Sequence, residues 1–170
     1  SLVATFETGS LAFVGTGKPV TQKIDVFEND EVDVRLFDSK GYELGEAADK
    51  EFYDSVVAMA KQPESPDKAI HLIWYCIACS GNRVTDYDLQ AIETFSSANI
   101  PIAVVFTKAD LVTDEEVADL RKALPRSVAN VAFETTTNKN AQKYNHISEL
   151  VEWSAEHLSE SLRYSFIKSQ

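Results

Sequence analysis

The stretch AVVFTKAD, residues 103–110, decides the fold, because an apolar and largely β-branched run ends there in a hydroxyl, an ammonium and a carboxylate. A run with so little polar alternation is typical of a strand that is covered on both faces, as in a parallel sheet. Ligands of parallel sheets bind beyond the carboxyl ends of the strands. Thr107, Lys108 and Asp110 are therefore candidate binding residues at the tip of a buried strand.

Strand patterns occur on both sides of this stretch. Residues 24–28 and 32–37 partly alternate in polarity and predict an antiparallel hairpin, and the apolar residues 69–79 predict a further strand that is buried on both faces. Residues 128–134 predict a short last strand. With helices between them, these strands predict a three-layer α/β fold with a mostly parallel sheet and one antiparallel edge strand.

Helix patterns fill the segments between and after the strands. Residues 45–62 place apolar side chains at helical spacing and stop before Pro63. Two later helices begin with a capping box, a threonine followed three residues on by an acidic residue: Thr85 with Asp88, and Thr113 with Glu116. A single long helix that includes Ile147 and Leu162 is expected at the end.

The composition fits one globular domain and excludes some classes of partner. The 170 residues are 44% hydrophobic and carry a formal net charge of -11, so this domain is not expected to bind nucleic acid or an anionic membrane. No apolar run approaches the roughly 20 residues of a membrane-spanning helix. Cys76 and Cys79 fit core packing in a reducing compartment, and we expect a cytoplasmic protein.

Four predicted strands end in polar segments, and consecutive parallel strands would bring these tips to one edge of the sheet. The segments are DSKGYE (38–43), CSGNR (79–83), TKAD (107–110) and ETTTN (134–138). In the first, Asp38 can orient water bound to magnesium, and Gly41 lets its backbone N–H approach the γ-phosphate of a nucleotide closely. The alternative interpretation of this pair is an ordinary turn.

The TKAD segment predicts recognition of guanine. The Asp110 carboxylate can accept hydrogen bonds from the ring N–H and the exocyclic amine of guanine, a donor pair that adenine lacks. The aliphatic stem of Lys108 can lie over the base while its ammonium stays in water. Thr136 and Thr137 can present a backbone N–H to the guanine carbonyl. The alternative is a loop that leads into a helix and carries solvated charges.

In this order and on these strands, the segments resemble the GTPases of the Ras-like superclass, and most of all its bacterial Era-like branch. PVTQ (19–22) looks like the first switch, DSKG matches the second, TKAD is similar to the Asn-Lys-x-Asp base motif, and ETTT stands where Ser-Ala-Lys usually lies. WYCI, RVTDYD and SFIKSQ also resemble the Era-like branch. The resemblance implies a magnesium-dependent switch that binds GTP or GDP, hydrolyses GTP and contacts a regulatory or effector protein.

The resemblance also implies a role for individual residues. Thr21 and Asp38 would hold magnesium, and Thr21 and Gly41 would act on the γ-phosphate during hydrolysis. The residues expected to bind the nucleotide are Thr107, Lys108, Asp110, Thr136 and Thr137. Tyr42 stands where many relatives place a glutamine that orients water, so Glu43, an ion or a residue of a partner are alternatives for that role.

The phosphate cradle of the superclass, G-x-x-x-x-G-K-[ST], is not found in the sequence. GTGKP (15–19) does not qualify, because Ala12 stands at the first glycine and Pro19 replaces the metal-binding hydroxyl. SLVATFE (1–7) instead resembles the helix that follows a cradle. We therefore expect residues 1–170 to be a GTPase domain without its first strand and P-loop, from a longer protein with further domains.

Two other classes of function fit part of the sequence. A phosphoacceptor receiver domain is also a parallel α/β domain, and Asp38, Ser80 and Lys108 imitate its set of acceptor, hydroxyl and lysine residues. A scaffold of GTPase fold that binds a partner protein without nucleotide is the second alternative. Selective binding of GTP favours the first interpretation over both of these.

Overall fold

The computed structural model of the chain describes residues 24–29, 32–39 and 46–168. These residues fall into two compact units. The smaller unit contains the described residues up to Lys50 and those from Leu158 onward, and the larger unit contains residues 51–157.

Strands and helices alternate along the described residues. Five strands and five helices occur there, in the order β1 (Ile24–Asn29), β2 (Val32–Ser39), α1 (Glu46–Lys61), β3 (Ile73–Ala78), α2 (Asp86–Ser97), β4 (Ile102–Thr107), α3 (Asp114–Ala123), β5 (Ala132–Thr135), α4 (Ile147–His157) and α5 (Glu160–Lys168). Short 3-10 turns at Cys79–Gly81 and Ala109–Leu111 follow β3 and β4. This order confirms the predicted α/β class.

The hairpin of the smaller unit matches the prediction. β1 and β2 pair antiparallel, with Ile24 opposite Ser39, and the register shifts between Phe27 and Asn29. Within the described residues the hairpin is a separate two-stranded sheet, and helix α5 contacts β2. The second strand continues through Asp38 and Ser39. Asp38 therefore lies within the strand and not directly after it.

The larger unit is built on a parallel sheet with the strand order β3-β4-β5. Ile73 pairs with Ile102 at the start of the first pair, and Val104 pairs with Ala132 at the start of the second. Each crossover passes through a helix, α2 between β3 and β4 and α3 between β4 and β5. The mostly parallel sheet that the sequence predicts is therefore confirmed.

Strand β4 is the centre of the hydrophobic core. The side chains of Val104, Val105 and Phe106 are fully buried, on alternate faces of the strand. Residues from α1, α2 and α3 pack around it, among them Tyr53, Val56, Ile92, Phe95, Val117 and Leu120. A strand with neighbours on both sides and side chains buried on both faces is what the run AVVF predicts.

Strand β3 differs from the prediction that both of its faces are buried. Tyr75 and Ile77 are buried, whereas Cys76 and Ala78 are exposed. Small side chains such as these have little apolar surface, so their place in an apolar run does not determine which face is covered. The expectation of core packing is therefore confirmed for Cys79, which is fully buried, and wrong for Cys76.

The helices follow their predicted starts, but the last one is divided. Both capping boxes are present, at Thr85 with Asp88 and at Thr113 with Glu116. The single long helix expected at the end is wrong, because α4 ends at His157 and α5 begins at Glu160. The carbonyl of Ser159 accepts a hydrogen bond from the N–H of Arg163 at 2.8 Å and starts a new helix. Serine favours helix starts over helix interiors.

None of the helices in the described ranges is long and apolar enough to cross a membrane.

Candidate functional site

The tips of the three parallel strands lie at the same level of the sheet. Ala78 pairs with Thr107, and Thr107 pairs with Thr135, so β3, β4 and β5 end side by side. The turns that follow β3 and β4 contact one another. The structure thus brings the CSGNR, TKAD and ETTTN segments to one edge, as the sequence predicts. The DSKG segment belongs to the smaller unit, and its place at this edge stays a prediction.

The backbone of the TKAD segment turns sharply where β4 ends. Lys108 has φ 57° and ψ 36°, in the left-handed region that few non-glycine residues occupy. Ala109 is fully buried after it and holds the turn against the core. The Lys108 side chain is exposed, and Asp110 lies in the following 3-10 turn. Such backbone conformations concentrate at functional sites, where the surrounding structure holds them in place.

The carboxylate of Asp110 is hydrogen-bonded through both of its oxygens. Thr136 Oγ1 donates to Oδ1 at 2.5 Å, and Asn138 Nδ2 donates to Oδ2 at 3.1 Å. The backbone N–H of Asn138 donates in turn to Thr136 Oγ1 at 3.0 Å. Asp110, Thr136 and Asn138 therefore form a closed network that joins the segment after β4 to the segment after β5.

These hydrogen bonds favour the ionised form of Asp110. The bond from Thr136 and then the bond from Asn138 lower the pKa of the Asp110 carboxyl below its ordinary value. A carboxylate only accepts hydrogen bonds. At neutral pH the site therefore presents an anionic acceptor of fixed orientation, which is what a pair of N–H donors on a ligand requires.

The other predicted nucleotide-binding residues lie next to this network along the chain. Thr107 is half-buried at the end of β4, and Thr136 is half-buried beyond β5. Thr137 lies next to it in the chain and is exposed. Thr135, which the sequence did not single out, is the buried last residue of β5 and fixes where this segment leaves the sheet.

The comparison with protein families decides the class of the chain. The model of the septin family, described as Septin, matches residues 44–170, which include the whole of this strand edge. The chain belongs to the septin family. The search of curated proteins and the search of solved structures found no match.

Membership in the septin family supports the predicted superclass of GTPases but not the predicted branch. Septins are a family of P-loop GTPases, so the general assignment to GTP-binding GTPases is confirmed at that level. The bacterial Era-like branch is not supported, although WYCI, RVTDYD and SFIKSQ resemble it. Short apolar and helical segments of this kind satisfy general packing needs, and they distinguish branches of one superclass poorly.

Part of the predicted nucleotide site lies outside the described residues. Thr21 and Gly41 fall there, as does Tyr42. For Asp38 the structure describes the backbone, within β2, and not the side chain. In the described part of the chain no three His, Cys, Asp or Glu side chains cluster as a metal site would require. The donor set predicted for magnesium, a hydroxyl and a carboxylate, has the oxygen chemistry that this ion prefers.

The start of α3 is tied to the segments that follow β3 and β5. Asn82 Nδ2, in the segment after β3, donates to Glu116 Oε1 at 3.0 Å. Asp114 accepts from Tyr144 Oη at 2.6 Å and from Lys143 Nζ at 3.0 Å, and these bonds, Tyr144 first, lower the pKa of the Asp114 carboxyl. The three segments that follow β3, β4 and β5 are therefore linked to each other through α3.

A second set of contacts holds β5 from the side. Arg121 Nη1 donates to the carbonyl of Ala132 at 2.9 Å, and its Nη2 pairs with Glu134 Oε1 at 2.5 Å. The backbone N–H of His146 donates to the carbonyl of Glu134 at 2.9 Å. These bonds fix the strand that delivers Thr136 to Asp110.

Asn138 belongs to the candidate site but is not predicted from the sequence. The sequence predicts that its segment, ETTTN, forms a strand tip, and it points there to Thr136 and Thr137. The structure places the Asn138 amide on the carboxylate predicted to select the base. The one sequence feature that could indicate this contact is the position of Asn138, because a polar side chain two residues after Thr136 can fold back onto the same strand tip.

Proposed function

We propose that this chain is the guanine-recognising part of a GTP-binding switch that hydrolyses GTP to GDP and phosphate. The observation that supports the proposal most is the hydrogen bond from Thr136 to Asp110, which unites the two segments predicted to bind the base. Membership in the septin family supplies the class of ligand. The Asp110 carboxylate would accept the ring N–H and the exocyclic amine of guanine.

The neighbouring residues would complete the base site. The exposed side chain of Lys108 would lay its methylene stem on one face of the guanine ring, with the ammonium in water. Thr107 would support this turn from the end of β4. The backbone N–H of Thr137 would donate to the guanine carbonyl, and Thr136 would hold the Asp110 carboxylate in place.

The part of the proposed site that would bind the phosphates consists of residues whose side chains the structure does not describe. Thr21 and Asp38 would hold magnesium, which neutralises charge on the β- and γ-phosphates when bound. Gly41 would bring its backbone N–H close to the γ-phosphate. We place the protein in the cytoplasm, with a regulatory or effector protein as the partner that responds to the nucleotide.

A competition assay tests the proposal. A fluorescent GDP analogue is bound to the purified protein in the presence of magnesium, and unlabelled GDP, GTP and ATP are added separately. GDP and GTP are expected to displace the analogue, and ATP is not. Equal displacement by ATP, or no binding of the analogue, would contradict the proposal.

A matched pair of variants makes the assay specific for the site. Asp110→Ala removes the carboxylate that accepts from guanine, and Asp119→Ala removes an exposed carboxylate on α3 that pairs with Lys122. The first variant is expected to lose the preference for guanine, and the second is expected to keep it. Loss in both variants would indicate a general effect of charge and not recognition of the base.

A further inference from the structure

The side chain of Asn138 is oriented by contacts at both ends of its amide. Its Oδ1 accepts a hydrogen bond from the backbone N–H of Asn140 at 3.1 Å. Its Nδ2 donates to Asp110 Oδ2 at 3.1 Å. The first contact fixes the oxygen, so the amide nitrogen faces the carboxylate, which can only accept. The orientation of Asn138 is therefore determined by two different partners.

The Asn138 amide presents to Asp110 the same kind of group that guanine presents. Guanine offers two N–H donors to a carboxylate, and a primary amide also offers N–H donors on a planar group. Thr136 occupies Oδ1 from the side of β5, and Asn138 Nδ2 occupies Oδ2. A guanine base that donates to both carboxylate oxygens therefore competes with the Asn138 amide for Asp110 Oδ2.

The position of Asn138 permits it to move. Its side chain is exposed, and Asn140, which holds its oxygen, is exposed as well. Exposed side chains change rotamer on the picosecond to nanosecond timescale. By contrast, Thr136 is half-buried and follows directly after the buried Thr135. Of the two donors to Asp110, Asn138 is the one that a ligand can displace.

We infer that Asn138 is a latch on the base site: it occupies Asp110 Oδ2 when no nucleotide is bound and gives this oxygen up to guanine. The inference rests on the proposed function, because it assumes that Asp110 recognises guanine. Part of the binding free energy is then used to open the latch, so the latch lowers the affinity for guanine nucleotides. It also keeps the empty carboxylate hydrogen-bonded and correctly oriented.

A simple brace is the alternative role for Asn138, and it predicts the opposite effect. A brace stays on Asp110 Oδ2 while guanine binds and holds the carboxylate in the productive orientation. Removal of a brace weakens binding of the nucleotide, whereas removal of a latch strengthens it. The sign of the change in affinity therefore separates the two roles.

Calorimetric titration of GDP into the unmodified protein and into two variants measures that sign. Asn138→Ala removes the latch, and Asn130→Ala is the matched control at an exposed position that precedes β5. The inference predicts that Asn138→Ala binds GDP roughly two- to tenfold more tightly, the factor that a typical hydrogen bond is worth. Asn130→Ala is expected to match the unmodified protein. Weaker binding by Asn138→Ala, or no change, would overturn the inference.

The side-chain amide resonance of Asn138 in NMR spectra separates failure of the latch from failure of the proposed function. Asn138→Ala identifies the signal, and Asp110→Ala gives its position when the latch is open. GDP is expected to move the signal of the unmodified protein toward this open position. If GDP shifts the backbone signals of Lys108 but leaves the amide in place, guanine binds and the latch is wrong. If GDP shifts no signal, the proposed function itself fails.

Discussion

Thr136 Oγ1 donates a hydrogen bond to Asp110 Oδ1 over 2.5 Å and thereby joins the tips of two neighbouring parallel strands. Each residue belongs to a short motif that means little alone, because an Asp after a strand and a run of threonines are both common in loops. Their contact makes the two motifs one site. The orientation of the Asp110 carboxylate, and with it the proposed recognition of guanine, depends on this bond.

Removal of the Thr136 hydroxyl is expected to weaken binding of GDP. Thr136→Val keeps the shape of the side chain but leaves Asp110 without its shortest hydrogen bond. We expect a loss of roughly five- to tenfold in affinity, the scale of one hydrogen bond, measured by calorimetric titration. Thr136→Ser should restore the affinity, and Thr137→Val should not change it, since Thr137 is proposed to act through its backbone. Unchanged affinity in Thr136→Val would disprove the role of the bond.

The acidity of Asp110 provides an independent test of the same network. The bonds from Thr136 and Asn138 hold the pKa of the Asp110 carboxyl below its ordinary value, so they stabilise the ionised form. The stability that these bonds give the folded protein is fully present above the pKa of Asp110 in the unfolded chain. It is lost as the pH falls through the lowered pKa of Asp110 in the folded protein. NMR titration of the Asp110 carboxyl carbon measures the pKa of this group, and Thr136→Val should raise that pKa. A carboxyl that titrates at the ordinary aspartate value in the unmodified protein would refute the prediction.

The two cysteines are expected to react at very different rates. Cys76 is exposed, whereas burial, and then the charge of Glu134, raises the pKa of the Cys79 thiol to about 11. Thiolates are the reactive form, so alkylation with iodoacetamide at pH 8 should modify Cys76 first and Cys79 only after unfolding. Mass spectrometry of the labelled peptides gives the order. Cys76→Ser should remove the fast phase, and a fast phase that survives in this variant would show that Cys79 is accessible.

The parallel sheet and its tips were predictable from the sequence, because burial of β4 requires a continuous apolar run and the Thr-Lys-x-Asp segment ends it abruptly. The burial of β3 was not predictable, since Cys76 and Ala78 are compatible with either face. Asn138 was missed for a related reason. Its contact with Asp110 joins residues 28 positions apart, and its position two residues after Thr136 does not by itself specify that contact.

The break between α4 and α5 shows a second limit of sequence reasoning. The apolar spacing from Ile147 to Leu162 continues through the break, so periodicity alone predicts one helix. The sequence signal was Ser159, a residue type that favours the start of a helix. A single serine is also tolerated inside helices, so only the structure locates the interruption at residues 158–159.

Two leucine substitutions test the position of the core. Leu150 in α4 is fully buried, whereas Leu111, after the base motif, is 64% exposed. Leu150→Ala is expected to lower the free energy of unfolding by about 2–5 kcal/mol, because it deletes buried methyl groups and leaves a cavity. Leu111→Ala should change it by less than about 0.5 kcal/mol. Urea denaturation measures both values, and equal losses would contradict the placement of α4.

The base preference of Asp110→Asn tests the recognition of guanine most directly. An amide at this position can pair with xanthine, which carries a carbonyl where guanine carries its exocyclic amine, so GTP should bind more weakly and XTP more tightly. Asp119→Asn, on an exposed carboxylate of α3, is the control and should keep the original preference. Competition of GTP and XTP for the site in both variants is the measurement. We predict that only Asp110→Asn reverses the preference, and unchanged selectivity for GTP in that variant would contradict the assignment of Asp110 as the residue that selects the base.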